Sequence, residues 1–377
     1  VGRLVVLPVQ AAANVNRLNH PVPGPKSCQN GAVETSTDQH GGISDGAKAV
    51  VHCDHEIMLV DGREKRRSGL PCINWTGRAE FSKGGGEMGA LDTLSGIVTK
   101  DGELGPHLPL GLTGKAEYLA LPRTREDLGR VMKAAASDGV ATRVLGSGRH
   151  VIVSKNTVDG LVLVLAAPEF TRVTVAGDRV VAGAGANLAS VIDAAGRAGL
   201  SGLEHLVGEP GTVAGAIRSR VPQGEDALVD HVDRICTVSA SGRVEELDAA
   251  MLHQGENRHD PFPSAVIVEV EFRLESLGHD AVVQRLKRSW IERRIREPLR
   301  ANTLGPIFRG GDAVDLLRKS DVTRKSEGCA EVCDRNPNFI VVRSPAHPAD
   351  IIGLIEAMRQ RVRERFHIDV ERQISIW

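Results

Sequence analysis

Residues 199–216 read GLSGLEHLVGEPGTVAGA. Glycine, alanine, threonine and proline make up most of the second half of this stretch, residues 208–216. An ordinary tight loop does not need small residues at this density. They allow a backbone to run close against a flat ligand and its phosphate groups. The stretch therefore predicts a cofactor-binding loop.

Two further glycine-rich turns precede this loop. Residues 145–150 read LGSGRH, and residues 183–185 read GAG, each directly after a strand-like segment. Glycines let such a turn fold so that several backbone N–H groups converge on a phosphate. A single turn of this kind also fits an ordinary connection between strands, so the prediction depends on the three segments together.

The segments around these turns mix helices with strands. Apolar spacing predicts helices over residues 125–138, 188–198 and 348–366. Alternation or continuous apolar runs predict strands over residues 143–145, 151–153, 161–165, 179–182, 266–272 and 368–376. Because no regular βαβ repeat is present, the expected fold class is α+β.

The composition is that of a globular protein with no preference for polyanions. The chain has 377 residues, 41% of them hydrophobic and 25% charged, with a net charge of −1. No stretch reaches the roughly twenty apolar residues of a membrane span, and no secretory signal pattern is present. We expect a cytoplasmic protein without a nucleic-acid or membrane partner. The basic segment 285–300 could be a nucleic-acid patch or a solvated helix face, and the near-neutral chain favours the second.

Residues 1–87 show no sustained helical or strand period. We expect them to be an N-terminal extension, either a disordered segment or a translated leader in front of Met88. The six cysteines include no C-x-x-C pair, so reduced thiols are expected. The cluster His52-Cys53-Asp54-His55 is too tightly spaced for an ordinary zinc site, and no metal site is predicted.

Three blocks, in order, resemble the UDP-N-acetylenolpyruvylglucosamine reductase family. Residues 145–150 are similar to the family's G-G-G-S-N turn, with Arg149 and His150 in place of serine and asparagine. Residues 199–216 are similar to its G-L-x-G-L-E and G-I-P-G-T-V-G-G-A segments, with Glu209 and Ala214 as the main changes. Residues 338–341, NFIV, resemble its N-F-I-V-N segment, which a helix and a final strand follow. The resemblance covers roughly residues 104–377.

This resemblance implies two FAD-binding subdomains of the vanillyl-alcohol-oxidase type, residues 88–167 and 168–276, followed by an α+β substrate domain, residues 277–377. It implies FAD as cofactor, NADPH as reductant and a nucleotide sugar as substrate. The residues expected to bind the cofactor are Gly146, Ser147, Gly148, Arg149, His150, Gly183, Gly185, Gly208, Pro210, Gly211, Thr212 and Gly215.

The residues that carry the family's chemistry are only partly present. In the family a serine protonates the substrate, while an arginine and a glutamate assist at its carboxylate and enol. Arg258 matches the arginine, but Pro306 stands at the serine position and Gln373 at the glutamate position. Proline has no proton to give, and glutamine does not titrate near neutral pH. The resemblance therefore implies a degenerate catalytic site.

Two residues of the final strand could supply the missing group. Glu371 and Ser375 both lie on the segment predicted as a strand, where a shift of register by one residue reverses which side chains face the site. Three functions stay open from the sequence: a flavin-dependent oxidoreductase for the enolpyruvyl sugar or a related substrate, a non-catalytic relative that binds flavin or a nucleotide sugar, and a scaffold that no longer binds flavin. The sequence does not predict the oligomeric state.

Overall fold

The computed structural model describes residues 88–219, 228–249, 252, 265–298 and 302–377, together with the backbone of five short strands before residue 82. The chain divides into two compact units, Val1–Phe81 and Ser82–Trp377. The strands of the first unit are β1 (Val6–Pro8), β2 (Lys48–Cys53), β3 (Glu56–Asp61), β4 (Ile73–Asn74) and β5 (Arg78–Ala79). They pair as a sheet of order β1-β3-β2 and as the ladder β4-β5.

The side chains of the His52–His55 cluster lie outside the described residues, and the nature of residues 1–87 stays a prediction.

The second unit carries the predicted helices and strands. Its helices are α1 (Arg125–Ser137), α2 (Pro168–Thr171), α3 (Leu188–Arg197), α4 (Val213–Ser219), α5 (His279–Arg296), α6 (Ala313–Lys319) and α7 (Pro348–Phe366). Its strands are β6 (Val98–Glu103), β7 (Lys115–Ala120), β8 (Thr142–Val144), β9 (Val151–Ile152), β10 (Thr157–Leu163), β11 (Val173–Ala176), β12 (Arg179–Gly183), β13 (Leu200–Ser201), β14 (Val232–Ser239), β15 (Val244–Asp248), β16 (Ala265–Arg273), β17 (Glu275–Ser276), β18 (Thr303–Leu304), β19 (Ser326–Glu327), β20 (Ala330–Val332), β21 (Ile340–Val342) and β22 (Ser375–Ile376).

The sheet β6-β7-β10-β8 is buried on both faces. Successive side chains of a strand point to opposite faces. In β10, Leu161 and Leu163 belong to one hydrophobic core, which also contains residues of α1. Val158 and Val162 belong to a second core, which also contains residues of α7. The sheet therefore separates two apolar cores and contributes to each.

A second sheet, β11-β12-β16-β14-β15, lies on the α1 side and contributes to the first core. Its central strand β16 buries Val266, Val268, Val270 and Phe272 as predicted, but Ile267 and Glu271 on the opposite face are buried as well, so the strand is not half-exposed. The third sheet, β18-β21-β20-β19, is covered by α7, whose bounds are those predicted from the sequence. The α+β class is confirmed, whereas the boundaries between subdomains stay a prediction.

The strand predicted over residues 368–376 is shorter than expected. Only Ser375–Ile376 pair with another strand, in parallel with β9. The residues before them bond to a loop instead: the Gln373 N–H donates to the Ile307 carbonyl at 2.8 Å. Because that loop is irregular, no continuous ladder forms along this segment.

The basic segment 285–300 is mostly the exposed helix α5, in which Val282 is the buried residue among those described. Of the helices in the described residues, none has the length and apolar character needed to cross a membrane. In the same part of the chain, no group of histidine, cysteine and acidic side chains is arranged to hold a metal ion.

Candidate active site

The glycine-rich turn and the loop at residues 209–216 meet at a cavity of about 260 Å³. The predicted residues that line it are Gly146, Ser147, Gly148, Arg149, His150, Pro210, Gly211, Thr212, Gly215 and Gln373. Glu209, Arg218, Arg309, Ser375 and Trp377 also line it. Segments distant in the sequence, including the replaced glutamate position, are thus brought to one site.

Backbone hydrogen bonds hold the loop against the segment after β12. The Leu188 N–H donates to the Gly211 carbonyl at 3.0 Å, and the N–H groups of Val213 and Ala214 donate to the carbonyls of Ala186 and Ala184, both at 3.0 Å. This pairing places the loop directly before α4. The G-A-G turn at residues 183–185 is therefore the support of the loop.

Two predicted glycines owe their identity to packing within the chain. A Cβ atom on Gly183 would lie 2.2 Å from the Phe170 carbonyl oxygen, and one on Gly185 would lie 1.9 Å from that of Leu165. Only glycine allows backbones to approach so closely. Gly185 lines a second cavity, which adjoins the one at the glycine-rich turn, whereas Gly183 lines neither cavity.

Gly208 lies at the edge of the loop and faces helix α5. A Cβ atom there would lie 2.7 Å from the Trp290 ring, and Gly208 does not line either cavity. Gly211 differs, because its φ is +154° and the nearest atom to an added Cβ is Leu188 Cδ1 at 3.9 Å. A side chain at Gly211 would therefore project into open space at the cavity.

Two more cavities adjoin the first. One of about 280 Å³ is lined mainly by apolar groups, among them Leu145, Val164 and Leu165. The other, of about 510 Å³, lies beside α1 and β16. Val144 and Arg218 line all three. The cavities are therefore contiguous and form one cleft, with the glycine-rich turn and loop along part of its wall.

This cleft fits the FAD that the resemblance implies. FAD is a long ligand with an aromatic group at each end and a diphosphate between them, and such ligands bind in largely apolar clefts with a few placed polar groups. Arg149, Arg218 and Arg309 line the glycine-rich part of the cleft. Their positive charges suit a diphosphate. Bound FAD would be held by this part of the chain.

The Glu209 carboxylate is buried beside the cavity. It accepts a hydrogen bond from Arg293 of α5, which also bonds to Glu297 at 2.7 Å. The exposed fractions of these side chains are 8% for Glu209, 12% for Arg293 and 29% for Glu297. Burial raises the pKa of Glu209, Arg293 opposes that rise, and the charge of Glu297 adds to it.

His150 connects the glycine-rich turn to the loop that carries Pro306. Its imidazole is hydrogen-bonded to the backbone of Gly305, and the bond raises the His150 pKa, as a bond donated to a carbonyl does. Burial and the nearby charge of Arg309 act more strongly in the other direction and lower the pKa to about 4. The ring is therefore neutral at pH 7, with one nitrogen donating and the other an acceptor.

The replaced catalytic positions lie near the same site. Gln373 is buried and lines the cavity, and Ser375 lines it as well. Glu371 is not among the lining residues and pairs with Arg309 at 3.5 Å. Pro306 follows Gly305, which His150 contacts. Arg258 lies outside the described residues, so its role stays a prediction.

Comparison with known proteins agrees with this geometry. A model of the FAD binding domain matches residues 116–248, and a model of the UDP-N-acetylenolpyruvoylglucosamine reductase C-terminal domain matches residues 297–377. The reductase of Moorella thermoacetica is 30% identical over 280 residues, which are 73% of this chain and 91% of that protein. The chain belongs to the UDP-N-acetylenolpyruvoylglucosamine reductase family.

Two further members of the reductase family support the assignment. The enzyme of Rhodopirellula baltica is 29% identical over 292 residues, 76% of this chain and 94% of its own length. The crystal structure of the Thermus caldophilus reductase superposes with a TM-score of 0.61 at 25% identity, covering 74% of this chain and 98% of that one. The FAD dependence expected from the sequence is therefore supported by the matching FAD binding domain.

Sequence reasoning missed several residues of the reductase site. Arg218 lies at the end of α4 and donates to the Ala265 carbonyl, and Trp377 lines two of the cavities. Arg218 carried a signal, because it is a lone cation seven residues after Gly211 on a helix that begins in the loop. No sequence pattern indicated Trp377, because its position depends on the pairing of β22 with β9.

Proposed function

We propose that this protein is an FAD-dependent oxidoreductase that uses NADPH to reduce UDP-N-acetylglucosamine enolpyruvate, a step of peptidoglycan synthesis, at a catalytic site that departs from its family's pattern. The observation that carries the proposal is the shared cavity. It joins the glycine-rich turn, the loop at residues 209–216 and Gln373, which belongs to the region similar to the family's substrate domain. Reduction with NADPH places the proposed reaction in the cytoplasm.

The residues have separate roles in the proposed reaction. FAD, when bound, supplies the two-electron chemistry. Arg149, Arg218 and Arg309 hold negative charge in the cleft. Arg258 is expected to hold the substrate carboxylate, as its place in the family pattern implies. His150, neutral at pH 7, fixes the loop that carries Pro306 through its bond to Gly305.

The site lacks two groups that the family uses on the substrate. Pro306 has no proton to donate, and the Gln373 amide does not ionise near neutral pH. Losing one positioned proton donor costs about 10²–10⁴-fold in rate. We therefore expect turnover of the enolpyruvyl sugar to be orders of magnitude below that of a family member with the serine and the glutamate.

The second candidate is a non-catalytic relative that binds flavin or a nucleotide sugar. The observation that favours it is the position of Gln373, which is buried at the cavity where the family pattern has a titratable carboxyl. A scaffold without flavin is the third candidate.

The test separates all three. The purified protein is examined by visible absorbance, then reduced with NADPH without oxygen, and then mixed with the enolpyruvyl sugar. Flavin absorbance, its loss with NADPH and its return with the sugar are expected for the oxidoreductase. A flavin spectrum that the sugar does not restore would indicate the binding protein, and a colourless protein with no affinity for added FAD would indicate the scaffold.

A further inference from the structure

Of the described residues that line the cavity, Glu209 alone carries a side-chain carboxyl group. It stands at the position where the family pattern G-I-P-G has an apolar residue. The same chain has lost a proton donor at Pro306 and a carboxyl at Gln373. A carboxyl group has therefore appeared at one wall of the site while another has disappeared.

The surroundings of Glu209 favour a bound proton. The Glu209 and Glu297 carboxylates accept from the same Arg293 nitrogen, which holds two negative charges close together, and Arg149 is a further cation that acts on Glu209. Two carboxylates held this close in a buried setting are stabilised when one of them takes up a proton. Glu209 is the more buried of the two, at 8% against 29% exposed, so the proton belongs there. The pKa of Glu209 is raised by burial, in agreement with this assignment.

We propose that Glu209 is the proton donor of this site and replaces the serine that the family uses. The inference rests on the proposed function. The Glu209 O–H bond breaks and leaves its electron pair on the carboxylate oxygen, while the proton forms a C–H bond at the carbon next to the one that is reduced. The electron pair of this new C–H bond comes from the enolpyruvyl double bond. The other carbon of that double bond is reduced by the two electrons that NADPH supplies through FAD. The Glu209 carboxylate then takes a proton from water in the cavity.

The first experiment uses Glu209→Gln, which keeps the shape of the side chain and an oxygen for Arg293. The protein is reduced with NADPH without oxygen, and the return of flavin absorbance on mixing with the enolpyruvyl sugar is followed across pH 5–9. We expect a loss of at least about 10²-fold in this rate. Flavin content and reduction by NADPH are measured in the same samples, so that a loss confined to reoxidation by the sugar is distinguished from a loss of flavin. Glu292→Gln is the matched control. Glu292 lies on α5, the helix that carries Arg293, and forms an exposed ion pair with Arg296.

The second experiment uses Glu297→Gln and does not depend on how Glu209→Gln folds. Removing the second carboxylate lowers the Glu209 pKa, because the Glu297 charge contributes to raising it. The acid form of Glu209 is the active one, so the rate falls as pH rises through this pKa. In Glu297→Gln that fall should shift to lower pH, whereas Glu292→Gln should show no shift.

The outcomes separate the inference from the proposed function. Equal rates and pH profiles in Glu209→Gln and the unmodified protein would overturn the role of Glu209. So would a flavoprotein that NADPH reduces but the sugar does not reoxidise at any pH, although FAD binding would stand. A protein that takes up no flavin would overturn the proposed function and this inference together.

Discussion

The imidazole of His150 donates a hydrogen bond to the Gly305 carbonyl, so the glycine-rich turn is tied to the loop that carries Pro306. In the family pattern the residue at position 150 is asparagine, which has no charge to gain. His150 brings a titratable ring into the same place, and burial keeps that ring neutral. Protonation would place a charge on this buried ring beside Arg309, so the folded protein is sensitive to acid at this position although the bond to Gly305 is kept.

His150→Asn should reduce the loss of stability on acidification. The His150 pKa falls from 6.5 in an ordinary setting to about 4 in the folded protein, so between these values the unfolded chain binds more protons. Stability is then lost as pH drops from about 6.5 toward 4, by about 3 kcal/mol from this residue. Urea unfolding at several pH values measures the difference. The exposed His367→Asn is the control and should retain the wild-type slope; an unchanged slope in His150→Asn would contradict the prediction.

The double change Pro306→Ser with Gln373→Glu should raise turnover of the enolpyruvyl sugar. It restores a side-chain proton and a titratable carboxyl at the two positions where the family pattern has them. We expect a gain of at least about 10-fold in the rate of flavin reoxidation, below the 10²–10⁴ range of a fully positioned donor. In the double variant, Glu209→Gln should lower the rate of flavin reoxidation by a smaller factor than it does in the unmodified protein. No gain, with flavin content intact, would show that the two positions are not those of the family's serine and glutamate.

Gly211→Val should release the flavin. Its side chain would project into open space at the cavity, and its φ of +154° disfavours any residue other than glycine. Flavin per protein, measured from the absorbance spectrum, should fall, and the Kd for added FAD should rise at least about 10-fold, which is about 1.4 kcal/mol of binding. Gly177→Val is the control, because Gly177 also has a positive φ and open space but lies in the turn between β11 and β12. Gly148 is less suitable, since a Cβ there would lie 2.8 Å from Pro109.

Asn338→Leu should destabilise the protein and loosen the Pro306 loop. The Asn338 Oδ1 atom accepts from the N–H groups of Ile307 and Phe308, at 3.2 and 2.8 Å, and its amide donates to the Phe308 carbonyl at 2.9 Å. Leucine would leave the buried N–H and carbonyl of Phe308 without these partners, whereas the Ile307 N–H keeps its bond to the Asn338 main-chain carbonyl at 2.9 Å. We expect a cost of about 2 kcal/mol. Thermal unfolding measures it. The exposed Asn302→Ala is the control and should change stability by less than about 0.5 kcal/mol.

Deletion of residues 1–87 should leave flavin binding and heat stability unchanged. The blocks that resemble the family all follow Met88, and the model of the FAD binding domain begins at residue 116. Flavin content and the thermal midpoint of the shortened protein are compared with those of the full chain. An insoluble product or a clear drop in the midpoint would show that the first 87 residues support the fold.

The sequence predicted the long elements and the loops of the site, because these depend on local spacing. Helix α7 has its predicted bounds, and Pro210, Gly211, Thr212 and Gly215 line the cavity, although their binding of a cofactor stays a prediction. The roles of single residues depend on distant contacts and were harder to predict. Glu204, part of the quoted motif, is buried and accepts from Ser201 and from the Gly202 N–H, so it shapes a turn. Gly183 faces the backbone of Phe170, which no local pattern indicates.

The sheet β6-β7-β10-β8 limits how this protein can change during evolution. Its side chains Leu119, Val158 and Val162 share a core with Ile351 and Ile355 of α7, so the C-terminal region packs against one face of this sheet. If recombination replaced the C-terminal region with that of a relative, the apolar surfaces would not match and the hybrid would be unstable. Single substitutions at the rim of the cleft do not disturb this core. New substrate preferences should therefore arise more readily by point mutation at the rim of the cleft than by exchange of the C-terminal region.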